Sequence, residues 1–80
     1  MYFVYILYSD KFDRYYIGHS HKHLSRLNDH NRGKVKSTKA YAPWRIIHTE
    51  KYKSKSDAYI REMQIKGYKT GEAFKKLINK

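Results

Sequence analysis

The first twenty residues carry the pattern of a β-hairpin, which limits the fold more than any other feature of the chain. The segment MYFVYILYS, residues 1–9, is short, aromatic and β-branched, as is typical of a buried strand. The turn-like segment DKFDR follows it, and YYIGHS, residues 15–20, has the composition of a returning strand. We therefore expect the chain to begin with two antiparallel strands.

A helix and a loop are predicted after the hairpin. Ser20 is expected to cap this first helix, with Leu24 and Leu27 on its inner face and Gly33 beyond its end. Residues 32–43 contain a glycine, three lysines and a proline, and we expect a loop there. The segment WRIIHTEKY, residues 44–52, then predicts a third strand.

Two further helices are predicted in the last third of the chain. Ser54 with Asp57 three residues later resembles a capping box, so a second helix is expected to begin there and to end at Gly67. Thr70 is expected to cap a last helix, whose apolar side chains have i, i+3 and i+4 spacing: Phe74, Leu77 and Ile78. The predicted order is β-β-α-β-α-α, an α+β fold.

Length and composition limit the class of protein. Eighty residues fit a single domain, here residues 1–80. The absence of cysteine excludes disulfides and thiolate zinc sites, and it fits a reducing cytoplasm. The longest apolar run, residues 2–8, is too short to span a bilayer and lacks the basic start of a signal peptide. We expect a cytoplasmic protein.

Positive charge is concentrated outside the hairpin. Lys and Arg number 18 against seven Asp and Glu, for a formal net charge of +11. Residues 1–20 carry two charges of each sign, so residues 21–80, with sixteen cations and five anions, hold the whole excess. Such a surface attracts polyanions, and we expect DNA, or alternatively RNA, as the partner. The alternative is a basic surface that only keeps the chain soluble; no segment has the amphipathic pattern of a membrane-surface helix.

Two tyrosines of the hairpin are expected to share one face of the sheet. In a hairpin with an even-length turn, either Leu7 or Tyr5 lies opposite Tyr16, and both registers leave Tyr5 and Tyr16 on the same face. They are candidates for an active site or, alternatively, a structural cross-strand pair. Gly18 weakens a strand and often marks close approach of backbone or ligand.

Three polar side chains of the predicted helices are candidates for chemistry. Arg26 and His30 are four residues apart and share a helix face; a guanidinium suits a phosphate, and an imidazole accepts a proton near neutral pH. The alternative is an ordinary solvated pair. Glu62 falls on the apolar stripe of Ala58 and Ile65, where a carboxylate needs a metal or an intramolecular partner such as Arg61 or Arg26.

The histidines at positions 19, 21 and 23 are not expected to form a metal site. They alternate across the junction between a strand and a helix, so all three cannot converge on one ion.

Together these residues resemble the GIY-YIG nuclease superfamily. The segments FVY at 3–5 and YIG at 16–18 place the two tyrosines eleven residues apart, although Phe3 and Val4 stand where the family name has Gly and Ile. YIGHS…LSRLNDHN is similar to the family's strand end and arginine-bearing helix. GKVKSTKAYAPW, SDAYIREMQIKGY and KKLI resemble the loop, the glutamate helix and the ending of the short, stand-alone bacterial members.

The resemblance implies a small three-stranded antiparallel sheet flanked by helices, and metal-dependent phosphodiester hydrolysis. It assigns catalytic roles to five residues: Tyr5, Tyr16, Arg26, His30 and Glu62. It also identifies Gly18 as the signature glycine and Glu62 as the ligand of Mg²⁺ or Mn²⁺. Many members carry an asparagine twelve to fifteen residues after the glutamate; residues 74–77 occupy those places here, and Asn79 is nearly terminal.

A role for each residue follows from the chemistry of hydrolysis. Tyr5 accepts a proton from water if His30 or the metal lowers the cost of the phenolate, and Tyr16 positions the water or the phosphate, or the tyrosines exchange roles. Arg26 stabilises the developing charge, and Glu62 holds one Mg²⁺. The cations expected to bind nucleic acid with the later helices are Arg32, Lys34, Lys36 and Lys39.

These residues are compatible with three functions. The leading one is a metal-dependent DNA endonuclease, structure-selective and linked to DNA repair or recombination. The alternatives are a non-catalytic nucleic-acid-binding protein with the same fold, and a basic ribosome- or RNA-associated protein. The last explains the charge but not the set of tyrosine, arginine and glutamate. Without a separate recognition domain, targeting would come from a protein partner, from DNA shape or from a homo-oligomer.

Overall fold

The predicted hairpin is present, with strands β1 (Tyr2–Ser9) and β2 (Arg14–Ser20). The structure is a computed structural model, and it describes residues 1–68 and 71–79. Asp13 in the turn has a positive φ of 51°, and its carboxylate accepts a hydrogen bond from the Tyr8 hydroxyl at 2.9 Å. A short aspartate tolerates this left-handed conformation better than a bulky residue does, which favours the reversal of the chain there.

A third strand completes an antiparallel sheet around β1. Strand β3 (Arg45–Tyr52) pairs with the other side of β1, so the order is β2-β1-β3. The register shifts between Ile6 and Leu7, which marks a bulge against β3. Because β1 is central and both its faces are covered, residues 4–7 are all buried. The predicted three-stranded antiparallel sheet is confirmed.

Helices cover the sheet on both faces: α1 (His23–Asn31), α2 (Lys55–Tyr68) and α3 (Glu72–Ile78). Val4 and Ile6 pack with residues of α2 and α3 in a first core, made of Val4, Ile6, Ala58, Ile65 and Phe74. Tyr5 and Leu7 point to the opposite face and form a second core with Trp44, against which Leu27 packs. The α+β class and the order β-β-α-β-α-α are therefore confirmed.

The ends of two helices follow the predicted signals. Gly33 has a φ of +77°, and its N–H donates to the carbonyl of His30 while the N–H of Lys34 donates to that of Asp29. These two bonds form a Schellman motif, which ends α1 at the predicted glycine. At the start of α2, the Ser54 hydroxyl accepts the N–H of Asp57 at 3.1 Å, as a capping residue does.

Two expectations for α1 were wrong. Ser20 does not cap the helix; its hydroxyl accepts the N–H of Lys22 at 3.0 Å, and Lys22 itself occupies the N-cap position without a capping side chain. The hydrogen bond that would have capped the helix is used in the turn before it. Leu24 is 63% exposed rather than on the inner face, whereas Leu27 packs against the second core.

Two further boundaries differ from the prediction. Gly67 does not end α2, which continues to Tyr68 because that side chain packs against the first core and receives a hydrogen bond from Arg61. The predicted loop of residues 32–43 contains a short 3₁₀-helix (Lys39–Tyr41). The predicted cap Thr70 lies outside the described residues. Within the described ranges, no helix combines the length and apolar character needed to cross a membrane.

Candidate active site

The two signature-like tyrosines lie side by side on the face of the sheet that α1 covers. The hairpin register pairs Leu7 with Tyr16 and Tyr5 with Gly18, so the tyrosines are diagonal neighbours on adjacent strands. Their ring centroids are 6.4 Å apart. Tyr5 is buried, and Tyr16 is half-buried at the edge of the sheet. The part of the pair that is exposed therefore belongs to Tyr16.

Gly18 leaves room for the phenol of Tyr5. A Cβ atom at position 18 would lie 2.8 Å from the Tyr5 hydroxyl, 2.9 Å from its Cζ and 3.1 Å from Cε2 of Tyr16. The two distances to Tyr5 are shorter than real Cβ atoms show, and the third is unusually tight, so the Tyr5 ring lies against β2 where a glycine leaves room for it. The close approach expected at this glycine is between a side chain and the backbone.

His30 lies between the tyrosines and a loop threonine. Its Nε2 is 3.5 Å from the Tyr5 hydroxyl, and its Nδ1 is 2.7 Å from Oγ1 of Thr38. The Thr38 hydroxyl donates to the carbonyl of Val35 at 3.3 Å, which leaves its oxygen free to accept from Nδ1–H. This arrangement satisfies every group when His30 carries its proton on Nδ1, so Nε2 presents a lone pair to Tyr5.

Burial shifts the pKa values of Tyr5 and His30 in opposite directions. Desolvation, with a smaller effect of Tyr16, raises the pKa of the Tyr5 phenol above its usual value, although the Arg26 guanidinium opposes this shift. Desolvation and the charge of Arg26 lower the pKa of His30. At neutral pH both groups are uncharged, so Tyr5 is a hydrogen-bond donor and Nε2 of His30 is an acceptor.

Arg26 lies one turn before His30 on α1. Its Nη1 lies 3.3 Å from Oδ2 of Asp29, and 40% of the side chain is exposed. Its charge lowers the pKa of Tyr5 against the larger effect of burial, and it adds to the effect of burial that lowers the pKa of His30. The pair with Asp29 is a weak surface interaction, so Arg26 is available to an incoming anion.

A side-chain clamp holds the loop that carries Thr38. The Asn31 amide donates to the carbonyl of Trp44 at 3.0 Å and accepts the N–H of the same residue. Nε1–H of Trp44 donates to the carbonyl of Thr38 at 3.0 Å. The roles of Asn31, Thr38 and Trp44 were not predicted, although the last two lie in the loop that resembles the family.

Glu62 is buried, as its place on the apolar stripe predicted, and it has intramolecular partners other than the two arginines named as examples. It is 7% exposed, between Ala58 and Ile65. Its Oε1 accepts a hydrogen bond from Nδ1–H of His19 at 2.6 Å, and its Oε2 lies 2.8 Å from Nζ of Lys66. Neither Arg61 nor Arg26 is the partner, because Arg61 pairs with Glu50 and Arg26 with Asp29.

The remaining histidines of the opening cluster have separate surroundings. His21 packs edge-on against Tyr2 with centroids 5.9 Å apart, and His23 stacks on Phe3 at 4.2 Å. The three histidines thus have different neighbours, and the spacing gave no sign that His19 reaches Glu62.

Glu62 with His19 is the candidate place for a metal ion. Among the described residues, no group of three or more acidic or histidine side chains could surround an ion. A hard divalent ion that keeps most of its waters needs only one or two protein ligands, so a single carboxylate fits this class of site. Burial is the largest cause of the raised pKa of the Tyr5 phenol, and the charge of Glu62 is a small one.

The four cations expected to bind nucleic acid are exposed on the surface after α1: Arg32, Lys34, Lys36 and Lys39. Lys34 is 4.0 Å from Asp29, a distance at which an exposed pair contributes little. They lie on the same segment as Thr38, close in sequence to the candidate site.

Comparison with known proteins decides the family. The family model described as the GIY-YIG catalytic domain matches residues 1–75. The chain belongs to the GIY-YIG family. This is a nuclease superfamily, and the matched residues include the hairpin that carries Tyr5, Tyr16 and Gly18.

Relatives carry names without a stated activity. The chain is similar to the UPF0213 proteins of Staphylococcus aureus strains Mu3, Mu50 and N315. Each is 39% identical over 54 residues, which cover 66% of this chain and 66% of the relative, slightly less than two thirds of its length. No solved structure shows significant similarity to the chain.

This GIY-YIG domain departs from its family pattern at two places. Val4 lies in the first core and Phe3 stacks on His23, so both replacements in the first signature serve packing. On α3, Phe74 is in the first core and Leu77 packs against it. These two positions therefore supply packing groups rather than an amide.

Proposed function

We propose that this chain is a metal-dependent DNA endonuclease that hydrolyses phosphodiester bonds. The observation that carries the proposal is the contact between the Tyr5 hydroxyl and Nε2 of His30, whose lone pair is directed at the phenol by Thr38. The half-buried Tyr16 ring lies 4.6 Å from that of His30, and Arg26, one turn earlier on α1, has 40% of its side chain exposed. A purely structural pair of tyrosines would not need a neutral histidine aimed at one of them.

The proton of the attacking water passes to Tyr5 while the phenolic proton passes to His30. Because burial raises the pKa of Tyr5, a free phenolate is costly, and a relay in which one proton arrives as the other leaves avoids it. His30 is neutral at neutral pH because its pKa is lowered, so Nε2 is free to accept. Tyr16 positions the water or the scissile phosphate, and the two tyrosines can exchange these roles.

Charge on the phosphate is stabilised by Arg26 and by an ion held at Glu62. A guanidinium donates two hydrogen bonds to phosphate oxygens at once, and the exposed Arg26 can leave Asp29 to do so. A bound Mg²⁺ or Mn²⁺ would supply positive charge near the phosphate. The expected ligand is Oε1 of Glu62, since Oε2 is held by Lys66.

The substrate is DNA, held through its phosphates by the cations around Lys34, Lys36 and Lys39. The net charge of +11 supports a polyanion, and contacts to phosphates carry no sequence information. We propose selection by DNA structure, a role in repair or recombination in the cytoplasm, and targeting by a protein partner or a second copy of the chain.

The test is cleavage of a substrate panel by the purified protein. Nicked, flapped, branched, single-stranded and plain duplex DNA are incubated with Mg²⁺, with Mn²⁺ and with chelator. The expected result is metal-dependent cleavage of at least one substrate, lost in Tyr5→Phe and in Arg26→Ala. Cleavage that survives the chelator, or that both variants retain, would identify a contaminating nuclease and contradict the proposal.

A non-catalytic nucleic-acid-binding protein is the second candidate. It is favoured by the packing role of Phe74 and Leu77, at two of the positions where many family members carry an asparagine, and by the two partners that occupy the carboxylate of Glu62. This candidate predicts DNA binding that chelator leaves unchanged and no cleavage of any substrate in the panel.

A further inference from the structure

His19 and Glu62 form a contact that the GIY-YIG signature does not require. Nδ1 of His19 and Oε1 of Glu62 are 2.6 Å apart, although the residues are 43 positions apart in sequence. We propose that these two atoms are adjacent ligands of one divalent ion, and that the site favours transition ions, Mn²⁺ or later in the first row, over Mg²⁺. The inference rests on the proposed metal site at Glu62 and names its second ligand and its ion class.

The distance between the two atoms is close to what an octahedral ion needs. Adjacent ligands at about 2.1 Å from such an ion are about 3.0 Å from each other. The nitrogen of His19 and the oxygen of Glu62 therefore have to separate by only a few tenths of an ångström. The change is within the reach of side-chain rotation and needs no movement of β2 or α2.

Lys66 determines which oxygen of the carboxylate is available. Its Nζ is 2.8 Å from Oε2, one helical turn after Glu62. This ion pair leaves Oε1 as the only oxygen turned towards His19, so the carboxylate would bind an ion through one oxygen. The lysine keeps its partner when the ion enters, because the two cations use different oxygens.

The imidazole of His19 is held in place and remains accessible. It lies on β2, packs edge-on against Tyr59 with centroids 5.8 Å apart, and its side chain is 19% exposed. In the metal-free protein Nδ1 carries the proton donated to Glu62. On metal binding this proton moves to Nε2 through solvent, and the hydrogen bond is replaced by one bond from each atom to the ion.

The chemistry of imidazole sets the preference among ions. Mg²⁺ is a hard ion that selects oxygen ligands and gains little from a ring nitrogen. Affinity of a nitrogen ligand rises from Mn²⁺ through Co²⁺ to the later ions of the row. A site with carboxylate alone would discriminate less between Mg²⁺ and these ions than one that also contains His19.

Metal binding in the absence of DNA tests the inference directly. Mg²⁺, Mn²⁺ and Co²⁺ are titrated calorimetrically into the wild-type protein, His19→Ala, His19→Asn and Glu62→Gln, with His21→Ala as the matched histidine control. We expect both His19 variants to lose roughly 10–100-fold in affinity for Mn²⁺ and Co²⁺ but less than about 3-fold for Mg²⁺. His19→Asn can still donate to Glu62, so it separates loss of the ligand from loss of the fold.

Pulsed electron paramagnetic resonance of the Mn²⁺-loaded protein supplies a second readout. Modulation from a directly bound nitrogen is expected in the wild type and in His21→Ala, and it should be absent in both His19 variants. If the His19 variants lost affinity for Mg²⁺ and Mn²⁺ equally, and the wild type showed no nitrogen signal, the inference would be overturned. His19 would then only orient Glu62. A nitrogen signal that persists in His19→Asn would overturn the inference as well.

The design separates this inference from the proposed function. If Glu62→Gln binds every ion as the wild type does, Glu62 is not the metal ligand, and both the inference and the proposed metal site fail. If Glu62→Gln binds all ions more weakly while the His19 variants bind them as the wild type does, Glu62 is a ligand and only the assignment of His19 as the second ligand fails. The cleavage proposal then stands on its own substrate panel.

Discussion

Thr38 accepts a hydrogen bond from Nδ1 of His30 at 2.7 Å and thereby directs the other ring nitrogen at Tyr5. The threonine is eight residues from the histidine, in the loop after α1, and its hydroxyl proton is used by Val35. A residue with no reactive group of its own thus determines whether His30 accepts or donates at the phenol. This relationship leads to the first prediction.

Replacing Thr38 should reduce cleavage through the histidine. Thr38→Val keeps the shape but leaves Nδ1–H without an acceptor, which costs about 1–3 kcal/mol of stability and allows the other tautomer. We expect cleavage at least roughly 10-fold slower and a lower melting temperature, both restored by Thr38→Ser. Full cleavage by Thr38→Val, measured well below its melting temperature, would remove the tautomer from the mechanism.

His30→Gln should change the pH dependence of cleavage. Because the pKa of His30 is lowered, the neutral base is present from slightly acidic pH upwards, and wild-type activity should appear there. In the variant, activity should be slower and appear only at higher pH, with DNA affinity near normal. An unchanged pH–rate profile would limit His30 to a packing role.

Stability should also depend on His30 below neutral pH. In the folded protein the His30 imidazole takes up a proton less readily than in the unfolded chain, where the pKa of histidine is about 6.5. The neutral His30 side chain therefore contributes to the free energy of unfolding above pH ~6.5, and this contribution is lost as the pH falls below that value. The free energy of unfolding, measured with urea between pH 7.5 and 5, should decline as the pH falls, and it should decline less in His30→Gln than in the wild type. An equal decline in both proteins would show that His30 is not the titrating group.

Glu62→Gln should nearly abolish cleavage while the fold survives. The amide keeps the size of the side chain but removes the charge that attracts a metal ion, and an exposed lysine such as Lys66 finds water instead. DNA affinity should hold or rise slightly, because one negative charge fewer faces the phosphates. Cleavage, DNA affinity and melting temperature are measured on the same preparation. A destabilised variant that cleaves at full rate would defeat the site assignment.

Glu50→Gln is the matched variant at a structural carboxylate, and it should behave in the opposite way. Burial alone would raise the pKa of Glu50, but hydrogen bonds from Arg61, His48 and Tyr52 outweigh it and lower the pKa to about 2. The ionised Glu50 carboxylate therefore contributes to the free energy of unfolding above pH ~4.5, and this contribution is lost as the pH falls towards 2. We expect Glu50→Gln to lose about 1.5–3 kcal/mol of its free energy of unfolding at pH 7, while the folded variant keeps the wild-type cleavage rate.

Acid unfolding completes this comparison of carboxylates. The wild type should lose stability between pH ~4.5 and 2, and Glu50→Gln should lose less over that interval, because the titrating group is gone. A Glu50→Gln protein with wild-type stability at pH 7 would show that the contacts with Arg61 contribute nothing.

DNA binding should be strongly dependent on salt. With ~6 phosphate contacts, affinity should fall roughly 10³-fold between 50 and 200 mM salt. Replacing the four exposed cations after α1, Arg32, Lys34, Lys36 and Lys39, by glutamine should reduce the slope of log affinity against log salt by about 3–4. A binding constant that hardly changes over this range, measured by fluorescence anisotropy, would contradict the polyanion interpretation.

Periodicity explains what could be predicted from the sequence. The alternation of a strand places Tyr5 and Tyr16 on one face in either register, and the structure has the register that opposes Leu7 to Tyr16. Helical spacing likewise predicts that Glu62 is buried beside Ala58 and Ile65. Both predictions need only local geometry, which the order of side chains determines.

Contacts between distant segments could not be predicted in this way. The bond from His19 to Glu62 depends on how α2 lies along β2, and no pattern within either segment encodes that distance. The same holds for Thr38, whose place in an irregular loop has no period. Gly67 was predicted to end α2 by local propensity, but packing of Tyr68 on the first core outweighs the cost of a helical glycine, about 1 kcal/mol.

The amide of Asn31 has a consequence for the entropy of binding. Its two hydrogen bonds to Trp44 close the loop of residues 32–43 at its base, and Trp44 fixes the middle of the loop through the carbonyl of Thr38. The backbone that bears Lys34, Lys36 and Lys39 is thus already ordered in the free protein. A polyanion that contacts these side chains does not have to order the loop, so more of the electrostatic attraction is left as net affinity.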